Sequence, residues 1–164
     1  FFVVYGAWLE QTFGLSTAGV GFATIAIAAA EALGELLTAG LSDKLGLKRA
    51  IGIGLILSCL SYLILPFVGT STVLALSGLF AIFISFEFVI VTVISIFTEL
   101  LPEARATSLS ANIAAMGIGR IIGAVMGGFI WQAGGILAIG VVSAGIQLLA
   151  LPLLLWGMRA PDDE

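Results

Sequence analysis

Four ionisable side chains lie inside long apolar stretches of the sequence, where water would not surround them. They are three glutamates and one arginine: Glu31, Glu35, Glu87 and Arg120. A charge at the centre of a membrane-spanning helix costs about 2.5–3.5 kcal/mol on insertion scales, so such residues usually serve a purpose. A carboxylate beside an arginine stays ionised, whereas a carboxylate without a partner is driven towards protonation. With one arginine among three acids, at least one acid is left to take up and release a proton.

The depths of these residues in a bilayer are similar. A rise of about 1.5 Å per residue puts Glu31 about 15 Å, Glu87 about 20 Å and Arg120 about 22 Å from the nearest expected helix ends on one side. Glu35 lies one turn from Glu31 on the same helix face. We expect these four residues to form a central polar site. A structural alternative stays open, in which they form a buried ion pair and a protonated glutamate at a helix contact.

The composition is that of a membrane protein. Hydrophobic residues make up 60% of the 164 residues, charged residues only 10%, and the mean hydropathy is +1.23. Soluble domains carry about 25% charged residues. A helical crossing needs about 20 apolar residues, so the chain has room for five complete crossings and a partial one. We therefore expect an all-α membrane bundle.

Several kinds of function are disfavoured by the residues present. The net charge is −4 and the six basic residues are scattered, which argues against a nucleic-acid partner. One cysteine, Cys59, and no histidine provide no disulfide framework and no metal cluster. No phosphate-binding loop or catalytic dyad occurs either. We expect no cofactor, no metal and no enzymatic activity.

The apolar runs predict six spans, bounded by turn residues, and we place them at about residues 1–10 (partial), 17–41, 50–68, 72–100, 105–131 and 136–156. Ser16 or Thr17 is the candidate N-cap, and Gly134–Gly135 is the expected turn between the last two spans. The chain begins inside an apolar run without a charged flank, from which we expect that it starts partway through a longer protein.

Basic residues occupy alternate gaps between the spans. Five of the six lie in the second gap, in the fourth gap or in the C-terminal tail: Lys44, Lys48, Arg49, Arg105 and Arg159. The intervening gaps contain no lysine or arginine. Because basic residues are retained in the cytoplasm, we expect the charged loops and the C-terminus to be cytoplasmic in a multi-pass protein of the cell membrane.

Small and polar residues mark two further features of the third and fourth complete spans, residues 72–100 and 105–131. Gly119, Gly123 and Gly127 form a repeated Gly-x-x-x-Gly face, which predicts close helix packing or, alternatively, a face that slides. Four polar side chains are expected either to line a cavity or to bond a backbone carbonyl of their own helix: Ser85, Thr92, Ser95 and Asn112.

The stretch Ala39–Arg49, AGLSDKLGLKR, resembles the loop signature of the major facilitator superfamily, G-x-L-A-D-R-x-G-R-K/R. Two positions depart from the signature: Ala39 replaces its first glycine and Leu47 replaces a basic residue. In this family the signature's acidic residue helps to hold the cytoplasmic gate. The resemblance therefore implies a gate loop formed by Asp43, Lys44, Gly46, Lys48 and Arg49.

The stretches FEFVIVTVISIFTEL and LPEARATSLSANIAAMGIGRIIGAVMGG are similar to the tenth helix of drug- and sugar-efflux permeases and to the link into the eleventh. This resemblance implies the C-terminal six-helix half of a twelve-helix transporter, running from the end of the seventh helix. It also implies proton-coupled efflux of a small organic solute by alternating access. The expected partners are the solute, protons, the lipid bilayer and the missing N-terminal half. A non-transporting membrane scaffold and a half-size homodimeric transporter are the alternatives.

Overall fold

The computed structural model describes residues 1–100 and 102–157, and no strand occurs among them. Arg159 and the C-terminus, which enter the orientation argument, lie outside the described residues. The α-helices are α1 (Tyr5–Phe13), α2 (Thr17–Leu45), α3 (Leu47–Val68), α4 (Thr72–Leu100) and α5 (Arg105–Gly157), and a 3-10 turn (Pro102–Ala104) precedes α5. In this described part, four helices are long and apolar enough to cross a membrane. The prediction of an all-α membrane bundle is confirmed.

Helix α5 contains a chain reversal. Its 53 residues would extend about 80 Å if straight, which is far more than one crossing. The backbone leaves helical geometry at Gly134 (φ −158°, ψ 19°) and Gly135 (φ 59°, ψ −149°), where the sequence predicts a turn. We call residues 105–133 the first arm and residues 136–157 the second arm. Both arms border one cavity, so the second folds back along the first.

The charged stretch between α2 and α3 is helical, so the prediction of a loop over residues 42–49 is wrong. Gly46 alone interrupts the helices, with a φ of 78° that favours glycine. Because the chain turns through this single residue, no further loop residues are needed between α2 and α3. The four charged residues of the expected loop therefore lie in the last turn of α2 and the first turn of α3: Asp43, Lys44, Lys48 and Arg49.

The start of α2 and the end of α1 follow local signals in the sequence. Ser16 caps α2, as expected, because its side-chain oxygen accepts a hydrogen bond from the Gly19 amide at 3.2 Å. The partial span expected over residues 1–10 is instead Tyr5–Phe13, and it ends at Gly14, whose φ is 66°. Left-handed glycine at this position is a common helix stop.

Helix α4 lies at the centre of the bundle and packs on α2, α3 and α5. A Cβ atom at Gly34 of α2 would lie 2.8 Å from the Cβ of Glu87 and 2.9 Å from the Ile84 carbonyl oxygen. A Cβ atom at Gly54 of α3 would lie 2.5 Å from a methyl group of Val89. Both helices therefore approach α4 at distances that only glycine permits.

The second arm of α5 packs on α3 in the same manner. A Cβ atom at Gly140 would lie 2.6 Å from the Tyr62 carbonyl oxygen. Near this contact the Gln147 amide nitrogen donates a hydrogen bond to the Ser58 hydroxyl at 3.1 Å. The Cys59 thiol is 3.7 Å from the Ala144 carbonyl oxygen. The arm is thus held by close backbone approach and by polar contacts.

We predict that Gly140→Ala destabilises the full-length protein by about 1–3 kcal/mol, because the new methyl group meets backbone that cannot move aside cheaply. Gly145→Ala is the matched control on the same arm, since a Cβ atom there meets nothing within 4 Å. We expect the control to gain about 0.5–1 kcal/mol from helix propensity. The free energy of unfolding in a denaturing-detergent titration measures both, and equal effects would contradict the packing.

Candidate functional site

A cavity of about 870 Å³ lies between α2, α3, α4 and both arms of α5. Its wall is mostly apolar, with a few polar groups converging from different helices. The charged lining residues are Glu31 from α2 and Arg120 from the first arm. The amide lining residues are Asn112 from the first arm and Gln147 from the second. Small-molecule sites typically combine this size with this distribution of polar groups.

Counted from the helix ends, the central charged residues lie at nearly the same depth. Because α2 continues to Leu45, Glu31 lies 14 residues from that end rather than ten. Its depth is then about 21 Å, which replaces the shallower sequence-based value of about 15 Å. Glu87 is about 20 Å from the end of α4, and Arg120 is about 22 Å from the start of α5.

Glu87 lies beside the cavity rather than in its wall. Its Cβ borders Gly34, so the side chain leaves α4 at the contact with α2. It interacts electrostatically with Glu31, Glu35 and Arg120. Glu35 is exposed and one turn nearer the basic end of α2. The structure thus brings all four predicted central residues into one neighbourhood, with only Glu31 and Arg120 in the cavity wall.

The residues predicted to form the cytoplasmic gate lie together at the other end of α2, around the turn at Gly46. Asp43, Lys44 and Arg49 are exposed, whereas Lys48 is half-buried. The Ser42 hydroxyl, which is buried, donates a hydrogen bond to the Asp43 carboxylate at 3.5 Å. Glu31, on the same helix as Asp43 and Lys44, lies about 21 Å from this end.

The glycine face of the first arm does not pack as the sequence predicts. Within the described residues, a Cβ atom at Gly119, Gly123 or Gly127 would meet no heavy atom within 4 Å. Gly119 and Gly123 instead line the cavity. The closest helix contacts instead involve α2, α3, α4 and the second arm, and on the first arm Gly119 and Gly123 are exposed whereas Gly127 is buried.

Three of the four polar side chains of α4 and the first arm bond their own helix. Ser85, Thr92 and Ser95 donate to the carbonyl oxygens four residues earlier, at 2.7, 2.6 and 3.0 Å. Asn112 lines the cavity, and its amide nitrogen lies 3.8 Å from the Met116 sulfur. Of the two alternatives, backbone bonding therefore holds for the first three residues, and cavity lining for Asn112.

Three polar residues of the cavity wall were not anticipated from the sequence: Tyr62 of α3 and Ser143 and Gln147 of the second arm. Gln147 carried a usable signal, because an uncharged amide within the last span is costly to bury without a hydrogen-bond partner. Tyr62 and Ser143 carried none, since aromatic and hydroxyl residues are ordinary in spanning helices.

Comparison with known proteins gives one family. The family model described as Major Facilitator Superfamily matches residues 1–164. The chain is also similar to an uncharacterized MFS-type transporter, YceJ, of Bacillus subtilis (strain 168), with 29% identity over 131 residues. That alignment covers 80% of the chain and 33% of the relative, so the chain spans about a third of the length of the relative. No solved structure matches the chain.

We predict that a cysteine in the cavity wall reacts with N-ethylmaleimide in the full-length protein and that a cysteine inside the bundle does not. The pair is Ser143→Cys, which faces the cavity, and Ser85→Cys, which is buried and bonded within α4. Cys59→Ala removes the native buried thiol from both. Thiols react as thiolates, which form readily only where water has access. Labelling of Ser143→Cys no faster than that of Ser85→Cys would contradict the prediction.

Proposed function

Because the chain belongs to the major facilitator superfamily, we propose that it forms the C-terminal half of a twelve-helix secondary transporter, from the end of the seventh helix through the twelfth. The proposed cargo is a small organic solute, which moves by alternating access between the two halves. The observation that carries this proposal is the central cavity, whose wall contains Glu31 and Arg120 from two different helices at similar depth. Transporters of this general kind bind solute near the midplane.

We propose proton coupling on the basis of the charge balance at this site. Glu87 interacts electrostatically with Glu31 and with Glu35, and among the described residues Arg120 is its positive partner. One arginine balances one carboxylate, so the site carries more acidic than basic groups, and a proton is the simplest counter-charge that such a site could exchange. Efflux driven by proton entry is supported by the resemblance of α4 to the tenth helix of efflux permeases.

The orientation proposed is that the ends of the helices at Gly46 and Arg105 face the cytoplasm of the cell. Lys44, Lys48, Arg49 and Arg105 all lie at these ends. The opposite turns, at residues 14–16, 69–71 and 134–135, contain no basic residue. This asymmetry supports a cytoplasmic location under the positive-inside rule. The N-terminal half would then complete both the cavity and the gate.

We predict that Glu87→Gln in the full-length protein reduces solute-driven proton flux to the level of protein-free vesicles, because an amide cannot take up a proton. Arg120→Ala should reduce the same flux, because the carboxylates lose their positive partner. The measurement is pH-sensitive dye fluorescence in proteoliposomes. Gln132→Ala, an exposed change beside the turn of α5, is the control. Normal coupled flux in both charge variants would favour a structural role, as in a membrane scaffold.

We predict that Asp43→Asn slows transport by the full-length protein without lowering its melting temperature. The carboxylate is exposed, so its loss leaves the packing of α2 intact, whereas a gate contact with other helix ends would be lost. Glu103→Gln is the matched control, since Glu103 is an exposed acid at the same end of the bundle. Initial transport rates in proteoliposomes check the prediction, and equal rates for both variants would remove Asp43 from the gate.

A further inference from the structure

We propose that the cavity binds a protonated alkylamine that carries an aromatic ring with a hydrogen-bonding substituent, and that Gln147 is the residue that recognises this substituent. The inference rests on the proposed transport function, since it assigns the solute class of the same cavity. Three independent features of the cavity carry it: its charge, its aromatic wall and the fixed position of one amide.

The charge of the neighbourhood favours a positively charged solute. Glu31 lines the cavity directly, and Glu35 and Glu87 lie close enough to interact with the same group of charges. Among the described residues, Arg120 is the one basic side chain in the cavity wall. Three acids against one arginine leave a negative balance when at least two of the acids are ionised. A protonated amine placed at Glu31 offsets that balance, whereas a carboxylate solute adds to it.

The aromatic part of the wall favours an aromatic body on that amine. Phe2 and Phe86 form a tilted ring pair with centroids 5.0 Å apart, and Phe1 and Tyr62 form an edge-to-face pair at 5.3 Å. All four residues line the cavity together with Glu31. Rings in these arrangements present both faces and edges to a further ring, and their faces attract a nearby cation.

A hydrogen bond to a buried residue holds the Gln147 side chain in place. One amide hydrogen is donated to the Ser58 hydroxyl at 3.1 Å, and Ser58 is fully buried in α3. The amide oxygen and the second amide hydrogen are the groups that Gln147 can offer to a molecule in the cavity. The contact of Gly140 with the Tyr62 carbonyl fixes the second arm against α3. The amide is therefore preorganised, so binding a solute that carries a hydrogen-bonding partner costs little ordering of this side chain.

The test is equilibrium binding of radiolabelled probes to the purified full-length protein in detergent. The probes are tyramine, phenethylamine and 4-hydroxyphenylacetate, which separate the hydroxyl from the amine. We expect tyramine to bind about three- to tenfold more tightly than phenethylamine, the range of one net hydrogen bond. We expect 4-hydroxyphenylacetate, which has the hydroxyl but a negative charge, to bind more weakly than either amine. Tighter binding of this acid, or no binding of tyramine, overturns the solute class.

The role of Gln147 is tested by the ratio of the two amine affinities. Gln147→Met, which keeps the side-chain length, should bring the ratio close to one while phenethylamine affinity stays nearly constant. Ser58→Ala should reduce the ratio partly, and Ser58→Thr should retain it, because the hydroxyl positions the amide. Ser61→Ala is the matched control, since its hydroxyl bonds the Leu57 carbonyl of its own helix at 2.8 Å. A wild-type ratio in Gln147→Met overturns the assignment.

This test separates the inference from the proposed function. Binding is measured without any proton gradient, whereas the transport proposal is judged by proton flux in vesicles. Coupled flux with a different solute and no binding of either amine overturns the inference alone. Selective binding of tyramine with no coupled flux for any solute overturns the transport proposal and supports the binding site.

Discussion

The close approach of α2 and α3 to α4 is the contact on which the rest of the bundle depends. In lipid there is no hydrophobic drive to bring helices together, so association relies on packing and on the few polar contacts between helices. Gly34 and Gly54 have no side chain, which lets α2 and α3 approach α4 closely. The Thr38 hydroxyl, at 3.4 Å from the Phe88 carbonyl oxygen, adds a polar contact across the first of these seams. The seam at Gly34 is also where Glu87 leaves α4, so the helix contact and the charged site are built from the same residues.

Much of this architecture could be predicted from the sequence, because its signals are local. Apolar length predicts the spans, Gly134–Gly135 predicts the reversal in α5, and counting along helices brings Glu31, Glu87 and Arg120 to one level. The error over residues 42–49 has a physical cause: charged residues read as a loop, yet a left-handed glycine lets both helices continue to within one residue of each other.

The helix contacts could not be predicted in the same way, because they depend on which faces meet. The repeated glycines of the first arm form the most conspicuous small-residue pattern, yet a Cβ atom at any of them would meet no heavy atom of the described residues within 4 Å. Single glycines at positions 34, 54 and 140 make the close contacts instead. The hydrogen bond between Gln147 and Ser58 joins residues 89 positions apart, so no local pattern reports it.

The single-residue link at Gly46 has a mechanical consequence. It ties the ends of α2 and α3 so closely that neither helix can tilt there without carrying the other, and α4 clamps both. The first arm of α5 is different. It is joined to its neighbours by a short 3-10 turn at one end and by a glycine pair at the other, and most of its side chains are exposed. The cavity therefore lies between a stiff three-helix block and a helix hinged at both ends. Any tilt of that helix about its two end turns would change the width of the cavity on the side opposite Glu31.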